Sequence, residues 1–453
     1  MTTARGNWGS RFGFVMAAAG SAVGLGNIWK FPYMTGENGG GAFLVIYLAC
    51  VLGFGLALVM AELVLGRMAE RNPVGAFRKL AGGGWPLVGG LGIATAFIIL
   101  SFYTVVAGWT IAYLVYAING SLAVADAGHL NALFGHLVGS GLLPLGYALA
   151  FMAMTAVVVA AGVGQGIERA AKLFMPLLFV VLILLVVRSV TLPGAGKGLV
   201  FFLQPDFSNV GINTVSAALG QAFFSLSLGA GGLITYGSYM ARHQDLGRDA
   251  MSVVLLDTIV AVLAGLMVIP AIFAAGLTPD AGGPGTTFKI LPAVFAAMPG
   301  GHWFGIGFFL LLILASLTSS VSLMEPVVSY LVDEHRMGRR AAVAATAVAC
   351  LGLAVPVSLS FGVWSGVTIA GYSIFGFLDF LTGNLLLPLG SLCIAVFVGW
   401  VLGPRALAAL NPGGQDGEAK HVQPAWWGHA WLFVLRFVAP FGIGWILLHG
   451  LFG

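Results

Sequence analysis

Gly20-Ser21-Ala22-Val23-Gly24-Leu25-Gly26-Asn27 interrupts an apolar run that starts near Phe12, and Ser225-Leu226-Ser227-Leu228-Gly229-Ala230-Gly231-Gly232 interrupts another that starts near Asn213. Glycine frees the backbone from a helix. Peptide groups released inside a hydrocarbon layer persist only where they line a cavity or find partners. The two stretches therefore predict two helices broken near their middles and turned toward one enclosed space, provided that the chain lies in a membrane.

Composition meets that condition. Of the 453 residues 59% are hydrophobic and 8% charged, with a mean hydropathy of +0.99, whereas a soluble domain is about one quarter charged. Apolar stretches start near Phe12, Ala42, Leu87, Leu143, Phe174, Asn213, Val253, Trp303, Ala341, Tyr372 and Leu432. Each can supply the roughly 20 apolar residues that a bilayer crossing needs. The expectation is an all-α polytopic membrane protein with eleven transmembrane helices and its termini on opposite sides.

Lys and Arg gather in alternate loops: Arg5 and Arg11; Arg67, Arg71, Arg78 and Lys79; Arg169 and Lys172; Arg242 and Arg248; Arg336, Arg339 and Arg340; Arg405 and Lys420. Basic residues mark cytoplasmic loops, so the N-terminus is expected in the cytoplasm and the chain in the inner (plasma) membrane, with the lipid bilayer as its partner. The net charge of +4 reflects this bias, and no basic tract points to nucleic acid. Cys50, Cys350 and Cys393 each lie in an apolar stretch and read as small hydrophobes rather than a disulfide framework. The first stretch contains a proline and several polar residues and is followed at once by another, so it reads as a retained span, not a signal peptide.

The breaks fall in the first and sixth spans, which correspond if spans one to five and six to ten are two halves. Five spans per half reverse the second half in the membrane, and matched broken helices in such an inverted repeat point to a binding site at mid-membrane. The expected division is 1–190 for helices 1–5, 191–404 for helices 6–10 with extracellular loops, and 405–453 for a cytoplasmic loop and helix 11. No residue-level similarity links the halves, so the symmetry rests on topology.

With these features the chain resembles the neurotransmitter:sodium symporter family, in its bacterial amino-acid-transporting branch. The strings that carry the resemblance are GSAVGLGNIWKFP from Gly20 to Pro32, ENGGGAF from Glu37 to Phe43, GQAFFSLSLG from Gly220 to Gly229, ITYGSY from Ile234 to Tyr239 and LTSS from Leu317 to Ser320. They run in order along the chain. The family commonly has twelve spans, so the resemblance implies that the twelfth is dispensable for transport here. It leaves the oligomeric state, a homodimer included, open.

The resemblance implies two sodium ions and one small amino-acid substrate. One sodium would be held by carbonyls of Gly20, Val23 and Ala315 with the hydroxyls of Thr318 and Ser319; a hard cation prefers oxygen, and unwound backbone supplies it without formal charge. The competing reading is that Thr318, Ser319 and Ser320 merely bond back to their own helix. The second sodium would be held by the Ala22 carbonyl, Asn27, Ser225 and Asp257, with the substrate carboxylate completing the shell. Relatives commonly have Asn where Asp257 stands, and chloride-dependent ones have Ser where this chain has Ala261. An intramembrane carboxylate is costly unless it has work to do. Asp257 is therefore expected to replace chloride, with a proton returned outward.

Gly24 stands where amine-transporting relatives carry Asp, which implies a substrate with its own carboxylate. That carboxylate would meet the amides of Leu25 and Gly26 and the Tyr103 hydroxyl. The ammonium would meet carbonyls near Ala22, Phe224 and Ser225 and the Ser227 hydroxyl, where half-helix ends favour those charges. Ile99, Tyr103, Phe224, Ala230, Ser319 and Leu323 would line an apolar side-chain pocket suited to large hydrophobic or aromatic substrates.

Gating residues carried over in the same way are Lys30 with Asp379 on the outer side, above a lid of Tyr103 and Phe224, and Arg5 with Asp333 on the inner side, supported by Trp8, Ser238, Tyr239 and Glu325. Charges at span ends can also be simple anchors. Glu62 is assigned support of the unwound first helix. Gly166 and Pro176 bracket a segment of the fifth span that in some relatives unwinds to let sodium out. The expected function is sodium-coupled, chloride-independent import of a neutral amino acid by alternating access. Competing functions are a proton-coupled transporter or an amino-acid sensor on the same scaffold, a channel, and an enzyme. The last has no His-Glu-x-x-His motif, nucleophile-base pair or phosphate loop to support it.

Overall fold

A computed structural model describes residues 6–124, 126–208, 210–277, 284–410 and 426–452. Among the described residues nine helices are long and apolar enough to cross a membrane: Gly41–Ala69, Pro86–Ile118, Leu143–Ala160, Val163–Val190, Leu246–Ala274, Gly301–His335, Arg339–Leu359, Ile374–Leu402 and Trp427–Leu448. A tenth crossing is the pair Arg11–Ala22 and Gly26–Glu37, bent by 51°. The sixth expected span is the pair Ile212–Ser225 and Gly232–Gly237, whose parts are each too short to pass by length. Length and composition thus give ten crossings. The eleven read from the sequence need this broken pair to count as one.

Two spans begin earlier than their apolar stretches. The fifth starts at Val163 rather than near Phe174, because Val163–Glu168 forms a π-helical turn that leads into Arg169–Val190. The seventh starts at Leu246 rather than near Val253, capped by the Asp245 carboxylate, which accepts from the Arg248 amide at 3.0 Å.

Gly301–His335 forms the inner wall: its most apolar window is 83% buried, against 33% for Leu143–Ala160. It packs on Pro86–Ile118, on Val163–Val190 and on the first span. Glycine sets a close crossing where the second span meets the end of the broken sixth: a Cβ at Gly66 would lie 2.0 Å from the Ile234 carbonyl oxygen, and one at Gly237 2.7 Å from that of Leu63. Small residues let membrane helices approach in this way. Ahead of the tenth span, Thr368–Ile369 pairs antiparallel with Tyr372–Ser373 through Ala370 and Gly371, both with positive φ, the geometry of a tight two-residue hairpin turn.

Candidate functional site

Both predicted breaks are present and face each other. The first helix stops at Ala22, Val23 is extended, and the helix resumes in a π turn at Gly26–Lys30. The sixth stops at Ser225 and restarts at Gly232, with Ser227, Gly229 and Gly231 in the left-handed region at φ of 51°, 85° and 76°. A non-glycine residue held there costs about 1–3 kcal/mol, so surrounding contacts have to hold Ser227 in place. Glu62 does part of this. Its carboxylate accepts from the Gly229 amide at 2.7 Å and faces the Leu233 and Ile234 amides at the head of the second half-helix, where the helix dipole favours an anion. Its contacts are thus to the sixth span, not to the first as expected.

Released carbonyls of the first break meet the eighth span. Ser319 Oγ lies 2.8 Å from the Val23 carbonyl oxygen and 3.5 Å from that of Gly20. Thr318 Oγ1 lies 3.0 Å from the Ala315 carbonyl and 3.5 Å from Val23. All five groups expected for the first ion are thereby gathered. Thr318 also bonds back to Leu314 at 3.2 Å, so the backbone-bonding reading describes part of its behaviour. Ser320 follows that reading within its own helix and also meets Thr155 Oγ1 at 2.8 Å.

The second cluster is buried. Asn27 Nδ2 donates to Asp257 Oδ1 at 2.7 Å and to Ser225 Oγ at 2.9 Å, and Ser225 Oγ donates to Asp257 Oδ2 at 2.8 Å. Asn27 Oδ1 accepts from the Gly24 amide at 3.0 Å, which ties the cluster to the break itself. Tyr47 adds its hydroxyl, 3.3 Å from Ser225 Oγ; a lone Tyr in an apolar helix offers no spacing by which sequence could single it out. Among the described residues no group of three or more His, Cys, Asp or Glu could hold a metal. The cation-compatible chemistry therefore lies in carbonyls, hydroxyls and one carboxylate.

Between the clusters lies a cavity lined by Ala22, Gly24, Leu25, Gly26, Ile99, Tyr103, Phe224, Ser227, Ser319, Leu323 and Leu387. The Tyr103 hydroxyl accepts from the Leu25 amide at 3.3 Å. One residue expected to line its apolar part does not: Ala230 is carried by the loop against Gly92, whose Cβ would sit 3.4 Å from the Ala230 carbonyl carbon. The Ser225 hydroxyl points into the Asp257 cluster, where it was expected. Leu387 was not anticipated, because nothing in an apolar helix distinguishes a wall residue from a lipid-facing one.

Above the cavity Trp29, Lys30, Tyr33, Phe102, Val106, Phe375 and Asp379 form a vestibule floored by Tyr103 and Phe224. Lys30 Nζ stands 4.1 Å from the centre of the Phe224 ring, and among the described residues no ion pair joins it to Asp379.

At the opposite end the chain is tied shut. Trp8 donates from Nε1 to the Tyr236 carbonyl at 3.0 Å and from its amide to the Tyr239 carbonyl at 3.4 Å. The Tyr239 hydroxyl donates to Glu325 Oε1 at 2.8 Å. Arg339 grips both Glu325 oxygens, at 3.0 and 2.5 Å, and donates to the Val159 carbonyl at 2.8 Å; sequence reading missed this partner, which only the fold brings to Glu325. Glu168 also went unread: it accepts from the Gly9 amide at 2.6 Å, from Ser10 Oγ at 3.0 Å and from Lys172 Nζ at 2.5 Å. Ser238 bonds within its own turn, to Thr235 at 2.6 Å. Asp333 accepts from the Asn72 amide and side chain, each at 3.1 Å. Arg5 lies outside the described residues.

Comparison with known proteins agrees with this arrangement. A family model described as the Sodium:neurotransmitter symporter family matches residues 5–133 and 136–440. The chain is 40% identical to an uncharacterized sodium-dependent transporter of Bacillus subtilis, over 96% of this chain and 95% of the relative, and 37% identical to another of Haemophilus influenzae, over 99% and 98%. Its fold is similar to the crystal structure of MhsT in complex with L-phenylalanine, with a TM-score of 0.90 and 45% identity over 98% of this chain and 100% of that one. These relatives are transporters, and this chain is a transporter rather than an enzyme. The chain belongs to the sodium:neurotransmitter symporter family.

Proposed function

We propose that the protein imports a neutral, large hydrophobic or aromatic amino acid together with two sodium ions, by alternating access and without chloride. The observation that carries this reading is the pairing of two oxygen clusters with one cavity at the two helix breaks. The Gly20, Val23, Ala315, Thr318 and Ser319 oxygens suit an alkali cation. Asn27, Ser225 and Asp257, with the nearby Ala22 carbonyl, suit a second one whose charge the carboxylate balances. The substrate carboxylate would approach the Leu25 and Gly26 amides and the Tyr103 hydroxyl, the ammonium would face Ser227, and Ile99 and Leu323 would cover the side chain. A shared ion-carboxylate contact would couple the two binding events.

With the basic loops taken as cytoplasmic, Trp8 would face the cytoplasm and the Lys30–Asp379 vestibule would face outward. On that orientation the cytoplasmic ties are closed while the vestibule stands above a lid of two rings. Charge entering the cavity would draw Tyr103 and Phe224 together. Release of the Trp8 and Glu325 contacts would then open the inner side. The likeness to a phenylalanine-bound transporter supports the choice of side-chain class.

Uptake into proteoliposomes under an imposed sodium gradient, with each of the twenty amino acids, tests the reading. Accumulation of aromatic or large aliphatic substrates, equal in chloride and gluconate, is expected. A strict chloride requirement would remove the role given to Asp257. Binding that is unchanged when potassium replaces sodium would favour a proton-coupled carrier or a sensor instead.

A further inference from the structure

Resting on the amino-acid reading above, we propose that Leu387, in the tenth span, sets the largest side chain that the central cavity accepts. Ala230 of the sixth-span loop, the small residue expected in the side-chain pocket, does not line the cavity. Leu387 does, and it is 2% exposed. Its backbone is pinned. A Cβ at Gly229 would lie 2.4 Å from the Leu387 carbonyl oxygen, and one at Gly390 2.8 Å from that of Gly229. The tenth span therefore presses backbone to backbone on the loop that carries Ser227, and Leu387 cannot recede to admit a longer substrate unless that loop moves.

Leu387 also follows directly on the π-helical turn Leu381–Leu386, which separates it from Asp379 in the vestibule. Such turns are frequent at functional sites. A substrate side chain that touches Leu387 thus meets the helix that carries the outer acidic residue. In an apolar pocket one methylene shifts selectivity roughly 10- to 200-fold, so truncating or enlarging one wall residue should register clearly.

The test measures sodium-driven uptake of L-tryptophan, L-leucine and L-alanine by wild-type protein, Leu387→Ala and Leu387→Phe in proteoliposomes. The Ala variant should raise the tryptophan-to-leucine ratio at least fivefold, and the Phe variant should lower it at least fivefold while retaining alanine. Because the two shifts are opposite, one variant lost to misfolding leaves the other to decide. Ratios within twofold of wild type in the folded variants would overturn the assignment. Wild-type protein that takes up none of the twenty amino acids under a sodium gradient would overturn the transport reading, and the role of Leu387 with it.

Discussion

At Gly24 an added Cβ would lie 2.4 Å from Ser319 Oγ and 3.1 Å from the Tyr103 hydroxyl. One methyl group would therefore push apart the oxygen cluster and the cavity wall together. Overpacking of this kind costs about 1–3 kcal/mol, and Gly24→Ala is expected to weaken sodium-dependent substrate binding about tenfold or more, read by equilibrium binding of labelled substrate; unchanged affinity would mean that the break has slack to spare. Asp257 carries the second prediction at this scale. Its two oxygens hold Asn27 and Ser225, so Asp257→Asn keeps the shape but removes the charge. The sodium concentration for half-maximal binding should rise about tenfold, near 1.4 kcal/mol. Adding Ala261→Ser should then make uptake respond to chloride. Asp257 was legible in the sequence because a carboxylate inside an apolar run is expensive and stands out, whereas Asn27 and Ser225 were joined to it only by the family resemblance. Leu387 was not, since its environment alone makes it a wall.

Among the elements, the broken first and sixth spans were legible because Gly and Ser cluster where a helix should run unbroken. The starts of the fifth and seventh spans were not. Their apolar stretches begin only near Phe174 and Val253, yet Val163–Glu168 is wound as a π turn that packs tightly, with a Cβ at Gly166 placed 2.0 Å from the Val158 carbonyl oxygen. That turn ends in Glu168, whose carboxylate holds Gly9 and Ser10. Gly13 packs on the same carboxylate so closely that any side chain there would collide with it. The start of the first helix and the start of the fifth span are therefore joined through one side chain, and neither can loosen independently. In Glu168→Ala, amide hydrogen exchange in the segment 6–14 should quicken about tenfold, while the eighth span, fixed by its own packing, exchanges as before. Equal protection in variant and wild type would show that Trp8 and Tyr236 hold the segment without Glu168.

For the whole molecule the decisive quantity is how many ions one substrate carries with it. Two separate oxygen clusters flank one cavity, so the geometry expects two. A sodium ion moving down ~100 mV supplies about 2.3 kcal/mol, and a tenfold concentration gradient adds roughly 1.4 kcal/mol. Two ions then provide ~7.4 kcal/mol, enough to concentrate a neutral solute about 10⁵-fold, whereas one ion supports only a few hundredfold. Those limits differ by more than two decades, so accumulation above a few hundredfold excludes one ion. The accumulation ratio at a fixed membrane potential should rise with the square of the imposed sodium gradient, and a proton returned outward would make the same ratio respond to an imposed pH difference. Removing the hydroxyls with Thr318→Ala and Ser319→Ala leaves the Asp257 cluster whole and should change the slope from two toward one or abolish concentrative uptake. A slope of one in the wild type would mean that one of the clusters is structural, and the cluster at Thr318, whose hydroxyl already bonds to its own helix at Leu314 and Ala315, would be the one to give up its ion.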